Sequence, residues 1–481
     1  MNKENRWGLT SGKTGRLIVG ILLLVGGQLG KVSGQTLTVL WRFGSLSNHL
    51  DGASPWAGLV QGHDGNFYGM SGGTNFLSGT VFKIAPAGVL TPLWQFDSLS
   101  NYADGYNPLI GLIQGSDGNL YGTTSNGGTN IFFGTFFKIT PAGALTPLWE
   151  FGRTDGGSPN GVIQGRDGDF YGTTDGNNGT VFRISPAGNL SNLYTFGSAP
   201  TDGLAPRGRL FEGSDGNFYG VTQGGGTNND GTVFKITSAG KLTTLWQFGG
   251  LSNDADGRSP SAGLAQGSDG NFYGTTVQGG GVNHHGTVFQ ITPAGMLTVL
   301  WQFGSLSNDA DGGGPGELVQ GSDGNFYGTT AAHGTNRGST LYRITPTGTL
   351  TVLWQFGSLT NNGDGAEPMA GLVQGSDGSF YGTTAFGGLN NSGTVFRLTV
   401  PLNPPPNQIS GIQTAGSDHV LTVPSVAGET YQLQFTSDLA SGIWSNIDGV
   451  SVTNSIGALL ILTNFGGALQ PQGFYRFDIT P

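Results

Sequence analysis

The sequence predicts an all-β chain: a seven-bladed β-propeller followed by a small C-terminal β-sandwich. Three observations carry this. A motif typified by "QGSDGNFYGTT" recurs seven times, with its aspartates at Asp64, Asp117, Asp167, Asp215, Asp269, Asp323 and Asp377, 48 to 54 residues apart. Each copy sits in a unit of four strand-like pieces. The first such piece stands alone, ahead of any complete unit.

The fifth unit reads "SPSAGLAQGSDGNFYGTTVQGGGVNHHGTVFQITPAGMLTVLWQFG". Turn residues divide it into strands a ("AGLAQG"), b ("NFYGTT"), c ("GTVFQIT") and d ("MLTVLWQF"). Asp-Gly between a and b is the signal for a tight hairpin turn at positive φ. "TPAG" between c and d is a second tight turn, with Pro and Gly in their usual roles. In strand d, Leu297, Val299, Trp301 and Phe303 alternate onto one face while Leu300 sits on the other, so the sheet is covered on both sides. Radially stacked four-stranded blades require such cover. The strand-d aromatics Trp41, Trp94, Trp149, Tyr194, Trp246, Trp301 and Trp354 are the expected filling between blades.

Strand d appears first, at 36–43, and the last unit has a, b and c but no d before the Pro-rich stretch. The strands balance only if the N-terminal d completes the seventh blade, which removes both open edges. The competing fold, a linear solenoid, calls for polar end repeats, and these units stay equally apolar throughout.

Residues 1–34 read as a signal peptide. Lys3, Arg6, Lys13 and Arg16 precede the apolar run Leu17–Leu29, and small residues at Val32–Gly34 offer cleavage near Gly34–Gln35. The expected domains are therefore the signal peptide at 1–34, the propeller at 35–400, a Pro-rich linker at 401–407 and the sandwich at 408–481. The sandwich is a candidate sorting or attachment module. No stretch after residue 34 reads as a membrane span, so membrane insertion of the mature chain is not expected.

The 481 residues include 90 Gly, 22 Pro and no Cys, and only 10% are charged. Absence of Cys excludes disulfides, thiolate metal sites and a Cys nucleophile. Removal of the signal peptide leaves 15 basic against 29 acidic residues, net −14, which argues against nucleic acid or anionic lipid as partner. The expectation is a monomer, secreted or held at the cell surface or envelope, with no cofactor.

Antiparallel order puts the a–b and c–d turns on one rim, and these hardly vary between copies. The d–a and b–c loops share the other rim and vary widely, from "TTDGNNG" to "TTVQGGGVNHHG". Variable loops on a rigid scaffold are the expected place for a glycan or protein ligand. Trp56 and Tyr106 are candidate contacts there. Asp254 with Asp256, and Asp309 with Asp311, resemble part of a calcium loop, but the further ligands of such a loop are missing. The plainer reading is an Asx-stabilised turn. His284, His285 and His333 lie in b–c loops without metal-site spacing, the last close to Arg337. Glu317 and Glu367 lie near the start of innermost strands; a glycosidase needs two carboxyls about 5–10 Å apart, but the sequence offers no supporting base, metal or Arg clamp nearby. Glu212 breaks the repeat where six other copies have Gln.

The unit "GLVQGSDGNFYGTT…GG…GTVFKITPAG…LWQF" resembles the Gloeo/Verruco-type (GloVer) tandem repeat of exported bacterial proteins, over about 365 residues. The resemblance implies export and a repeat fold, and supplies no catalytic residues to carry over. The best expectation is a non-enzymatic binding scaffold. A carbohydrate-active enzyme and a passive structural repeat are the alternatives.

Overall fold

The computed structural model describes residues 35–73, 79–128, 132–334, 338–359 and 362–400, and the C-terminal strands within 411–480. The signal peptide, the Pro-rich linker and Arg337 lie outside the described residues.

Seven antiparallel sheets form a closed ring of blades. Blade 1 comprises Val60–Gln61, Phe67–Ser71, Thr80–Ile84 and Leu90–Gln95, in the order a, b, c, d. Blades 2 to 5 repeat this order, and blade 6 does so with a further short strand, Gly313–Pro315, paired to its strand b. Blade 7 takes strands a to c from Val373–Gln374, Phe380–Thr384 and Thr394–Thr399, and its strand d is the N-terminal Thr36–Arg42. The strand count therefore resolves as expected, with the chain's first strand closing its last blade. The described residues contain no α-helix.

Strand a is shorter than its sequence suggests. It is two residues long beside the a–b turn in five blades, and reaches full length only at Pro159–Gln164 and Leu204–Glu212.

The core lies between blades. Seven apolar clusters each straddle two neighbours; one joins Tyr68, Val81 and Phe96 of blade 1 to Leu112, Leu120 and Phe137 of blade 2. The aromatic stacks across these boundaries come from strand b. Adjacent Phe and Tyr point to opposite faces, so the Tyr of one blade meets the Phe of the next. The pairs are Tyr121–Phe170 at 4.2 Å, Tyr171–Phe218 at 4.0 Å, Tyr219–Phe272 at 3.9 Å, Tyr273–Phe326 at 3.9 Å and Tyr327–Phe380 at 4.0 Å. Tyr381–Phe67 at 3.9 Å is the sixth pair, and at the boundary of blades 1 and 2 Leu120 takes the place of the Phe beside Tyr68. Each stack adds about 0.5–1.5 kcal/mol beyond burial. The strand-d aromatics, expected in this role, are only partly buried and pack along the cluster edges.

Each Asp of the repeated motif anchors its own hairpin. Asp64 accepts from the Asn66 backbone N–H at 3.1 Å, the Asn66 side chain at 2.8 Å and the Tyr68 hydroxyl at 2.8 Å. The glycine that follows needs only its positive φ, since at Gly118 (φ +80°) an added Cβ meets nothing within 4 Å. The second Asp-Gly series is tighter. Gly105 has φ +82°, and a Cβ there would collide with Thr124 Oγ1.

After the ring, Gly411–Ala415, Asp418–Pro424 and Leu459–Asn464 form one three-stranded antiparallel sheet. Thr430–Thr436, Ser445–Thr453 and Phe474–Thr480 form another. These are the strands of the small sandwich expected at the C-terminus.

Candidate functional site

The strand-a segments of all seven blades surround a central funnel of about 360 Å³, reached from the rim of d–a and b–c loops. Each segment carries a buried apolar anchor: Leu59, Leu112, Val162, Leu210, Leu264, Leu318 or Leu372. The residue just before the anchor faces the neck of the funnel in every blade but the third. It is Gly58, Gly111, Gly161, Gly263 and Gly371 in five blades, but Arg209 in blade 4 and Glu317 in blade 6. Glycine keeps the ring closed by letting backbones touch: a Cβ on Gly111 would lie 3.0 Å from Gly58 O, and one on Gly58 would lie 3.3 Å from Gly371 O.

The two large residues meet across blade 5. Arg209 Nη2 stands 3.6 Å from Glu317 Oε2, with both side chains under a third exposed. Arg207, nearer the mouth, is ion-paired to Asp175 and donates from Nε to Gln223 Oε1 at 3.0 Å. Asn160 donates to Pro206 O at 2.6 Å and to Thr173 Oγ1 at 3.3 Å. Blades 3 to 6 therefore present a polar wall. Blades 7, 1 and 2 present Met369, Trp56 and Leu109, of which Met369 and Leu109 are 44% and 40% exposed. Trp56 is held edge-on against Phe386, ring centroids 5.6 Å apart.

Of the sequence candidates, Trp56 and Glu317 line this funnel. Glu367 borders a separate cleft of about 460 Å³ between blades 6 and 7, and its backbone N–H donates to Ser339 Oγ. The two glutamates thus do not share a cavity. Tyr106 lies beside Tyr102 on the outer loops, centroids 5.7 Å apart. Asp256 and Asp311 are fully buried and accept from Trp246 Nε1 at 3.2 Å and Trp301 Nε1 at 3.0 Å. Asp254 pairs with Arg258 at 3.5 Å, and Asp309 sits at φ +51° in its loop. Asp256 and Asp311 hold their loops through upstream groups, accepting from Leu251 N–H at 3.4 Å and Ser305 N–H at 3.1 Å as well as from the indoles, where the sequence suggested an Asx turn. Among the described residues no three His, Cys, Asp or Glu side chains form a group suited to a metal ion.

The histidines separate. His284 is exposed at φ +54°, while His285 stacks on His333 of the next blade, centroids 4.2 Å apart. Burial, reinforced by His285 and opposed by Asp309, holds His333 below the usual histidine value.

Sequence reasoning missed Arg207, Arg209, Asn160 and Gln223. The available signal was positional: aligning the seven copies on the buried Leu exposes Arg209 and Glu317 as the two departures from Gly at one site.

A profile described as the Gloeobacter/Verrucomicrobia repeat matches residues 26–176, 98–255, 134–317 and 251–405. The chain belongs to that repeat family. No curated protein matches it in sequence. In fold, it is similar to the extracellular domain ascribed to a hybrid two component system of B. thetaiotaomicron, at 14% identity and a TM-score of 0.51. That match covers 92% of this chain, which spans 57% of the other's length. A second extracellular domain from the same organism matches at 12% identity and a TM-score of 0.49, over 93% of this chain and 59% of that one. An oxidoreductase of glucose dehydrogenase type from Thermus thermophilus matches at 16% identity and a TM-score of 0.38, over 76% of this chain and 100% of that one. The first of these likenesses bears on the fold alone. No helix among the described residues is long and apolar enough to cross a membrane.

Proposed function

We propose that this family member is a secreted, monomeric, non-enzymatic scaffold of the bacterial cell surface or envelope. Its ligand, a glycan or protein chain end, sits on the d–a and b–c face at the mouth of the central funnel. The observation that carries this reading is the funnel's two-sidedness: an apolar arc of Met369, Trp56 and Leu109 faces a polar arc of Asn160, Arg207, Gln223 and Ser261. Binding sites combine such apolar walls with a few placed polar groups, and about 360 Å³ lies at the low end of the usual range of about 300–1,000 Å³. A passive ring would have no need of such asymmetry. The paired-carboxylate enzyme scheme lacks support, since Glu317 and Glu367 border different cavities.

Glycan and peptide arrays probed with the mature chain and with a Trp56→Ala, Met369→Ser variant test the reading. Ligands lost by the variant support it. Ligands retained by the variant place recognition elsewhere, and an array without hits favours the structural role.

A further inference from the structure

We infer that the neck of the funnel reads a neutral, hydroxyl-rich sugar unit through the Arg209–Glu317 pair. This rests on the funnel reading above and names the ligand class for it.

The pair is not needed to close the ring. Five blades occupy the same position with glycine, and in blades 7, 1 and 2 those backbones approach one another without any ion pair. Only blades 4 and 6 project side chains there, and they do so across Gly263, where a Cβ would lie 3.1 Å from Glu317 Oε1 and 3.0 Å from Arg209 O. A charged couple has thus been added to a neck that closes without one.

Its geometry is half-open. The separation of 3.6 Å exceeds the roughly 2.7–2.9 Å of a direct charge-assisted hydrogen bond. Guanidinium donors and carboxylate lone pairs therefore remain for a third group. A hydroxyl both accepts and donates, so two neighbouring hydroxyls satisfy Arg209 and Glu317 together without changing the charge of the neck. An anionic ligand would be repelled by Glu317, and a cationic one by Arg209. The other arginine at the site is already matched, Arg207 by Asp175, so the funnel is charge-balanced and favours a neutral guest. The C–H face of a sugar ring suits the arc of Trp56, Leu109 and Met369, while its hydroxyls face Asn160 and Gln223.

Calorimetric titration of the mature chain with neutral gluco-, manno- and xylo-oligosaccharides, their per-O-methylated forms and oligogalacturonate tests this. The expected result is binding of at least one neutral oligosaccharide. That binding should weaken about tenfold or more on O-methylation, and likewise in Arg209→Gln and in Glu317→Gln, with melting temperatures close to the parent's. Neutral-sugar binding lost in Trp56→Ala but kept within about twofold in both charge variants overturns the inference and leaves the funnel reading standing. Oligogalacturonate bound in preference, and more tightly after Glu317→Gln, makes the neck an anion site and also overturns it. Failure of every saccharide to bind overturns the glycan reading of the funnel, and this inference with it.

Discussion

Ser376 donates its backbone N–H to Gln61 Oε1 at 2.9 Å, joining blade 7 to blade 1 across 315 residues of sequence. The same bond recurs at every blade boundary. His63, Ser116, Arg166, Ser214, Ser268 and Ser322 donate in turn to Gln114, Gln164, Glu212, Gln266, Gln320 and Gln374. Each Gln also donates to the glycine carbonyl of its own turn, as Gln61 does to Gly65 O at 3.1 Å. The rim that hardly varies is therefore a circular clasp.

Two perturbations of this closure are predicted. Gln61→Ala removes three partly exposed hydrogen bonds, to Gly65 O, to Ser376 Oγ and from the Ser376 N–H, and should cost about 1–2 kcal/mol in denaturant unfolding. Deleting 36–43 removes the strand that completes blade 7 and should abolish cooperative unfolding. A deletion variant that melts like the parent would sink the closure scheme.

The loop aspartates hold strand d through its indoles. Trp94 Nε1 donates to Asp104 Oδ2 at 3.1 Å, and Asp104 also accepts the N–H groups of Ser98 and Leu99 at 3.0 and 3.3 Å. Ten residues separate donor and acceptor here and at Trp41–Asp51, Trp246–Asp256, Trp301–Asp311 and Trp354–Asp364. After Trp149 the loop is shorter; Asp155 caps the Gly152 N–H instead, and the buried Trp149 Nε1 has no hydrogen-bond partner among the described residues. Trp94→Phe is therefore expected to destabilise more than Trp149→Phe, by about 1–2 kcal/mol. Equal losses in urea titrations would remove the indole–carboxylate bond as the cause.

Tyr342 occupies the strand-c position held by Phe in the other six blades, such as Phe289 and Phe396. It is fully buried, and its hydroxyl has no hydrogen-bond partner among the described residues. Tyr342→Phe should stabilise the chain by about 1 kcal/mol, because an unsatisfied buried donor is removed with little change of shape. A destabilised variant would show that the hydroxyl is bonded, for instance to an enclosed water.

The Tyr–Asp bonds of strand b give stability a defined pH window. Burial, and then the hydrogen bond to the motif Asp, pushes Tyr121, Tyr273 and Tyr381 up to about 12. Unfolded tyrosine titrates near 10. The folded state therefore holds protons that the unfolded chain releases, and stability present below about pH 10 declines as pH rises through 12, at up to about 1.4 kcal/mol per pH unit for each tyrosine. Burial alone would raise the carboxyls of Asp64, Asp117, Asp215 and Asp269, but hydrogen bonds from the following Asn and Tyr outweigh it and hold them low. Their contribution is present above the ordinary aspartate value and is lost as pH falls through the lowered one. Urea unfolding across the alkaline range should show the decline, with a shallower slope in Tyr273→Phe; an unchanged slope in that variant would assign the decline to other groups.

Much of this was written in the sequence because each repeat is locally complete. Asp-Gly turns, strand periodicity and the displaced strand d specify the blade, the number of blades and the way the ring closes, and the variation among loops marks the face proposed here for binding. What the sequence could not show is which residues of different repeats meet. Gln61 and Ser376, Tyr381 and Phe67, and His285 and His333 are partners only because blades stack around an axis. The funnel follows from the same geometry. Arg209 and Glu317 lie 108 residues apart, and only the ring's closure, which points every strand a at one centre, brings their charges within 3.6 Å.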